Sequence, residues 1–123
     1  MRVLVATDRA DLGDALTLFL SERRIHVLDV LGEADDVLAL AHSERPDVVL
    51  VDWGLGEAVS LRVVADLMHR DDPTPVVILS TPQERPRARE TGAAACVTLG
   101  DHPDALLVCL RDLGPDASPG SPA

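Results

Sequence analysis

Asp52 closes the apolar run Val48-Val49-Leu50-Val51, and Trp53-Gly54-Leu55-Gly56 follows at once. A carboxylate at the C-terminal end of a buried strand, just before a Gly-rich loop, sits where open α/β sheets place their chemistry. Asp8 stands at the same point after an earlier apolar strand, Val3-Leu4-Val5-Ala6. Two carboxylates at neighbouring strand ends can share one divalent cation, and one of them can act as a nucleophile toward a phosphoryl group.

Such a pair needs elements that bring the two strand ends together. Val3–Ala6 is short, apolar and β-branched, as a buried strand is. Asp11 is placed to cap the next segment, with Asp14 in its first turn, and Leu12, Leu16, Phe19 and Leu20 fall on one helical face. His26–Leu31 reads as a second strand. Ala34, Val37, Leu38 and Ala41 recur at helical spacing until Pro46 stops the helix. Val48–Val51 is the third strand, Leu61, Val64, Ala65 and Met68 mark the next helix, and Val76–Leu79 is the fourth strand. Gln83–Thr91 has almost no apolar face and contains Pro86, which predicts a short or poorly packed helix. Ala94–Leu99 forms a fifth strand, and Pro103 opens a last helix with Leu106, Cys109, Leu110 and Leu113 inside.

Five strands thus alternate with five helices. Near-continuous apolar strands require burial on both faces, hence a parallel sheet between two helical layers. Right-handed crossovers leave few topologies, and the flavodoxin-like (βα)5 three-layer sandwich with strand order 2-1-3-4-5 is the simplest. Its switch point lies between the first and third strands, the two that end in Asp8 and Asp52. Residues 1–113 read as one domain. The Pro- and Gly-rich stretch 114–123 has nothing to bury and reads as a disordered tail or a linker remnant.

Composition narrows the function. The 123 residues are 46% hydrophobic but only 2% aromatic, and the formal charge is -10. Such a chain is a poor binder of nucleic acid or of an anionic membrane. No apolar stretch approaches the ~20 residues that span a bilayer. Cys96 and Cys109 have no metal-ligand spacing and lie in apolar segments, which suggests reduced core thiols and a cytoplasmic setting. His26, His42, His69 and His102 are scattered without zinc spacing. No nucleophile elbow, P-loop or dinucleotide Gly motif occurs, which counts against a small hydrolase or nucleotide enzyme on the same fold.

With these residues placed, the chain resembles the receiver domains of bacterial two-component response regulators over about residues 2–113. Asp52, preceded by Pro46-Asp47-Val48-Val49-Leu50-Val51, matches the phosphoacceptor. Asp8 matches the second member of the family's acidic pair, Ser80 its strand-four hydroxyl, and Gly92-Ala93 the Gly-Ala before the fifth strand. Gly32-Glu33-Ala34 resembles the turn after the second strand. Departures are equally specific. Thr7 stands where the first acidic residue belongs, Leu99-Gly100 where Lys-Pro belongs, Gly56 where a Pro is usual, Val59-Ser60 where Asp-Gly is usual, and Cys96 where an aromatic residue often reports the active state.

The resemblance implies that Asp52 attacks the phosphorus of a phosphohistidine, from a histidine kinase or phosphotransfer protein, to give an acyl phosphate. It implies Mg2+ held by Asp8, Asp52 and the Gly54 carbonyl, with Thr7 reaching a metal-bound water; the missing carboxylate predicts weak binding. Ser80 would hydrogen-bond the phosphoryl group, with Thr81 as a reserve donor. The chain would be a phosphoacceptor rather than an enzyme, at most promoting its own phosphorylation and dephosphorylation. Leu99 supplies neither charge nor donor, so switching should be weakened, unless Arg85, Arg87 or Arg89 reaches in. Trp53 could cover the site or form part of a docking surface. The alternative is a phosphorylation-independent pseudo-receiver, an interaction module that could dimerise through the fourth helix, fifth strand and fifth helix. On either reading this domain does not bind DNA directly.

Overall fold

Five strands, β1 (Arg2–Ala6), β2 (His26–Leu31), β3 (Val48–Asp52), β4 (Val76–Ser80) and β5 (Ala95–Thr98), form one parallel sheet in the order β2-β1-β3-β4-β5. The computed structural model describes residues 1–100 and 102–114. The helices are α1 (Ala10–Ser21), α2 (Ala34–Glu44), α3 (Glu57–Met68), α4 (Arg85–Arg89) and α5 (Pro103–Leu113), and a 3₁₀ turn at Trp53–Leu55 joins β3 to α3. This is the flavodoxin-like arrangement that the alternation of apolar runs requires. The expected tail lies, beyond Gly114, outside the described residues.

The central strands β3 and β4 are buried at every position. Their alternate side chains feed two apolar layers, since successive residues of a strand face opposite sides. Leu4, Val49, Val51 and Ile78 meet Val37, Val63, Val64 and Leu67 on one face. Val3, Val5, Leu50 and Leu79 meet Leu16, Leu20, Leu106 and Leu110 on the other. Fully burying each such aliphatic side chain contributes about 1.5–3 kcal/mol. The outer strand β2 has no fully buried residue, which explains its uneven alternation.

Two local expectations change. Asp11 lies within the first turn of α1, and the residue before the helix is Arg9, so Asp11 is not the cap. An acidic residue there still suits the positive end of the helix dipole. The inner face of α3 is Ser60, Val63, Val64 and Leu67, whereas Leu61 and Ala65 are exposed. Apolar residues occur on several sides of this helix, so periodicity alone admitted two faces, and the sheet selected the one carrying Val63 and Leu67. Helix α4 is short and buries only Ala88, as the sparse apolar content of Gln83–Thr91 predicts. Helix α5 begins at Pro103 and buries Leu107 in addition to Leu106 and Leu110.

Two glycines let the elements meet. A Cβ on Gly13 of α1 would lie 2.8 Å from Val30 Cγ1, so α1 approaches β2 closely only because no side chain is there. Gly56, between the 3₁₀ turn and α3, has φ of 109°, which side-chain-bearing residues rarely adopt.

Candidate functional site

Register places the chemistry. Ala6 pairs with Val51, so Thr7 comes beside Asp52. Asp52 pairs with Leu79, which brings the end of β4, and Ser80, to the same edge of the sheet. Asp52 is 3% exposed, and its two carboxylate oxygens receive three hydrogen bonds. The Gly54 backbone N–H donates to Oδ1 at 2.9 Å, which also caps the 3₁₀ turn. The Thr7 hydroxyl donates to Oδ2 at 2.8 Å, and Arg9 Nε donates to the same oxygen at 3.2 Å. A buried carboxylate is tolerated only when its charge and lone pairs are met, and these three donors meet them.

Arg9 is the member of this group that sequence reading missed. The sequence carries only a weak signal: the chain's eleven basic residues are all arginines, and Arg9 follows Asp8, which does not single it out. Arg85, Arg87 and Arg89 are the three arginines that the sequence offers in the region after the fourth strand. Arg85 Nη1 donates to Thr98 Oγ1 at 3.0 Å, and Arg87 pairs with Glu57. Neither is among the groups bonded to Asp52.

The other residues divide. Thr7 is buried and hydrogen-bonded to Asp52, and its Oγ1 also accepts the Arg9 backbone N–H at 3.1 Å. Asp8 is exposed, beside Gly32, and no side-chain hydrogen bond or ion pair of Asp8 is found among the described residues. Gly54 lies against Asp52, with its N–H committed to the carboxylate. Ser80 is fully buried, and among the described residues no group hydrogen-bonds its Oγ. Thr81 forms a reciprocal cap with Glu84, its N–H donating to Glu84 Oε1 at 2.9 Å and its Oγ1 accepting from Glu84 N–H at 3.3 Å. Leu99 packs with the layer that contains Leu16, Leu106 and Leu110, and its backbone N–H bonds the Ser80 carbonyl. Trp53 is half-buried against the opposite layer rather than a free surface ring. Burial raises both cysteine thiols above their ordinary range, and Asp112 adds to the rise at Cys109.

The donor set fits a divalent cation poorly. Mg2+ requires several oxygen ligands in near-octahedral array. Here one of the three expected carboxylate positions is the neutral Thr7, Asp52 Oδ2 already receives two donors, and a guanidinium stands at that oxygen. Among the described residues no cluster of three or more His, Cys, Asp or Glu could hold a metal ion.

A doubly wound parallel sheet with a buried, donor-ringed carboxylate at its switch point defines an α/β domain with its candidate site at the strand ends. The receiver domain family of response regulators matches residues 3–107, and the chain belongs to that family. Its members are in general regulatory modules that bind Mg2+ and meet histidine kinases or phosphotransfer proteins. A protein-glutamate methylesterase/protein-glutamine glutaminase of Archaeoglobus fulgidus is 34% identical over 116 residues, covering 92% of this chain and 33% of that protein. Response regulator GacA of Pseudomonas aeruginosa is 29% identical over 119 residues, covering 92% of this chain and 55% of GacA. The chain therefore spans about a third and about half of these two curated relatives. Among solved structures, the beryllofluoride-activated N-terminal receiver domain of Klebsiella pneumoniae RstA superposes with a TM-score of 0.76 at 21% identity, over 92% of this chain and 97% of that one. Chemotaxis response regulator CheY4 of Vibrio cholerae gives 0.75 at 20% identity, over 91% and 97%. At such identities the likeness shows the fold. Among the described residues no helix is long and apolar enough to cross a membrane.

Proposed function

We propose that this receiver domain accepts a phosphoryl group on Asp52 from a histidine kinase or phosphotransfer protein, and switches a partner or output surface with reduced efficiency. The observation that carries this reading is Asp52 itself: a 3% exposed carboxylate at the end of β3, held by Thr7, Arg9 and the Gly54 N–H. A carboxylate oxygen attacks phosphorus as the P–N bond of the donor phosphohistidine breaks. The electron pair of that bond stays on the imidazole nitrogen, and an acyl phosphate forms. Attack draws negative charge off the carboxylate and onto the phosphoryl oxygens, so these donors serve by holding Asp52 in place and by standing beside the position where that charge gathers.

Ser80 supplies the response. Its buried hydroxyl has no partner among the described residues, and an unmet buried hydroxyl costs about 1–3 kcal/mol. A phosphoryl oxygen at the neighbouring strand end would meet it, which favours drawing Ser80 toward Asp52. Leu99 limits the gain, since its side chain belongs to the apolar layer and brings no charge. The surface that reads the change is the α4–β5–α5 face, where Val108 is exposed and a hollow of about 390 Å3 is lined by Arg85, Cys96, Val97, Val108 and Cys109. A second copy of the chain would pair through it. We read residues 1–113 as the receiver unit, 114–123 as a tail or linker, and the setting as cytoplasmic.

The test is intact-mass measurement after incubation with phosphoramidate. Wild type should gain one hydroxylamine-labile phosphoryl group, and Asp52→Asn none. A folded wild type that gains nothing, or an Asn variant that gains the same adduct, would remove Asp52 as acceptor. Leu99 in the apolar layer favours a second reading, a phosphorylation-independent interaction module. Partner binding that Asp52→Asn leaves unchanged would support it.

A further inference from the structure

The Arg9–Asp52 pair differs from every other ion pair among the described residues. In each of the others the carboxylate is more than a third exposed, whereas that of Asp52 is 3% exposed. Arg9 is 48% exposed, so one end of its side chain enters the buried site while the rest faces solvent. Only Nε is spent on Asp52; Nη1 and Nη2 make no hydrogen bond among the described residues. A guanidinium presents five donors in a rigid fork, and its outer edge can take oxygens of a trigonal or tetrahedral anion.

We propose that Arg9 is the resident counter-cation of the Asp52 pocket, so that the pocket takes phosphoryl-type anions without a divalent cation. This rests on the reading of Asp52 as the acceptor. A phosphoryl group approaching a carboxylate in a chain of formal charge -10 meets repulsion that some cation must offset. The chain's basic residues are all arginines, Leu99 is apolar, and Arg85 and Arg87 are bound to Thr98 and Glu57. Arg9 is the cation found on Asp52. The same arrangement disfavours a metal. Thr7 offers a neutral oxygen and donates its proton to Oδ2, so an entering cation would have to displace both Thr7 and Arg9 from that oxygen. A guanidinium carried by the chain itself offsets charge in the pocket and needs no ion from solution.

The test titrates beryllofluoride into wild type, Arg9→Ala and Arg9→Lys, once in EDTA and once in Mg2+. Amide NMR shifts around Asp52 and Trp53 fluorescence report binding. Wild type should saturate in EDTA and should not tighten when Mg2+ is added. Arg9→Ala should bind about tenfold more weakly in EDTA, the usual worth of one charge-assisted contact, and Arg9→Lys should recover part of the loss. The side chain of Arg9 is half exposed, and the same NMR spectra confirm that the variants stay folded. Wild type that responds only with Mg2+ would overturn the proposal while leaving Asp52 as acceptor. So would Arg9→Ala that binds in EDTA as tightly as wild type or tighter, since Arg9 would then be a spectator or a plug. Absence of response in all three proteins under both conditions would overturn the acceptor reading, and this proposal with it.

Discussion

Thr7→Val tests whether the Asp52 site is a connected network or a set of incidental contacts. Valine keeps the shape of threonine and removes the hydroxyl, which donates to Asp52 Oδ2 at 2.8 Å and accepts the Arg9 N–H at 3.1 Å. Thr7 and Asp52 are 4% and 3% exposed, so water cannot readily replace the lost donor. A hydrogen bond to a charged group is worth about 1.5–3 kcal/mol. The methyl that replaces the hydroxyl returns a fraction of that, about 0.8 kcal/mol if fully buried. The Arg9 N–H contributes little, because Arg9 is exposed enough for water to serve it. The net expectation is a loss of about 1–2 kcal/mol. In urea, with a slope of about 1.5 kcal/mol per molar, the unfolding midpoint should fall by roughly 1 M. Repeating the substitution on an Asp52→Asn background completes a double-mutant cycle. The charged acceptor is then gone, and a coupling of at least about 0.5 kcal/mol should appear between the two positions. An unchanged midpoint for Thr7→Val, or strict additivity in the cycle, would refute the claim that Thr7 holds the acceptor in place.

The remaining expectations concern the backbone and the thiols. Gly56→Ala should cost about 1–3 kcal/mol by thermal or urea unfolding, because φ of 109° disfavours any Cβ. No atom lies within 4 Å of the added carbon, so the loss would report backbone strain alone, and a neutral result would discard it. Cys96 and Cys109, both raised by burial, should react with a disulfide reagent at neutral pH more slowly than a free small-molecule thiol, and should quicken on unfolding. Reaction as fast as the free thiol in the folded protein would contradict their placement in the packed layers.

The sequence by itself determined the architecture, because the signals involved are local and repeated. Runs such as Val48–Val51 and Val76–Leu79 can be satisfied only by burial on both faces, and the alternation with helical patterns then forces a parallel sheet. Right-handed crossovers left few strand orders, the simplest of which is the one observed, so the sequence assigns Asp52 to the switch-point edge. Which arginine would stand on that carboxylate was beyond its reach. Arg9, Arg85, Arg87 and Arg89 are alike as residues, and their reach depends on where α1 and α4 start relative to the strand ends. Tertiary structure decided it by ending β1 beside β3, which puts Arg9 Nε 3.2 Å from Asp52 and leaves Arg85 on Thr98. Helix α3 shows the same limit, with Ser60 and Val63 buried and Leu61 exposed. Where apolar residues surround a helix, the choice of face is made by what packs against it. Long-range contacts, which fix electrostatic partners and helix rotation, are written in the sequence only through the fold they produce.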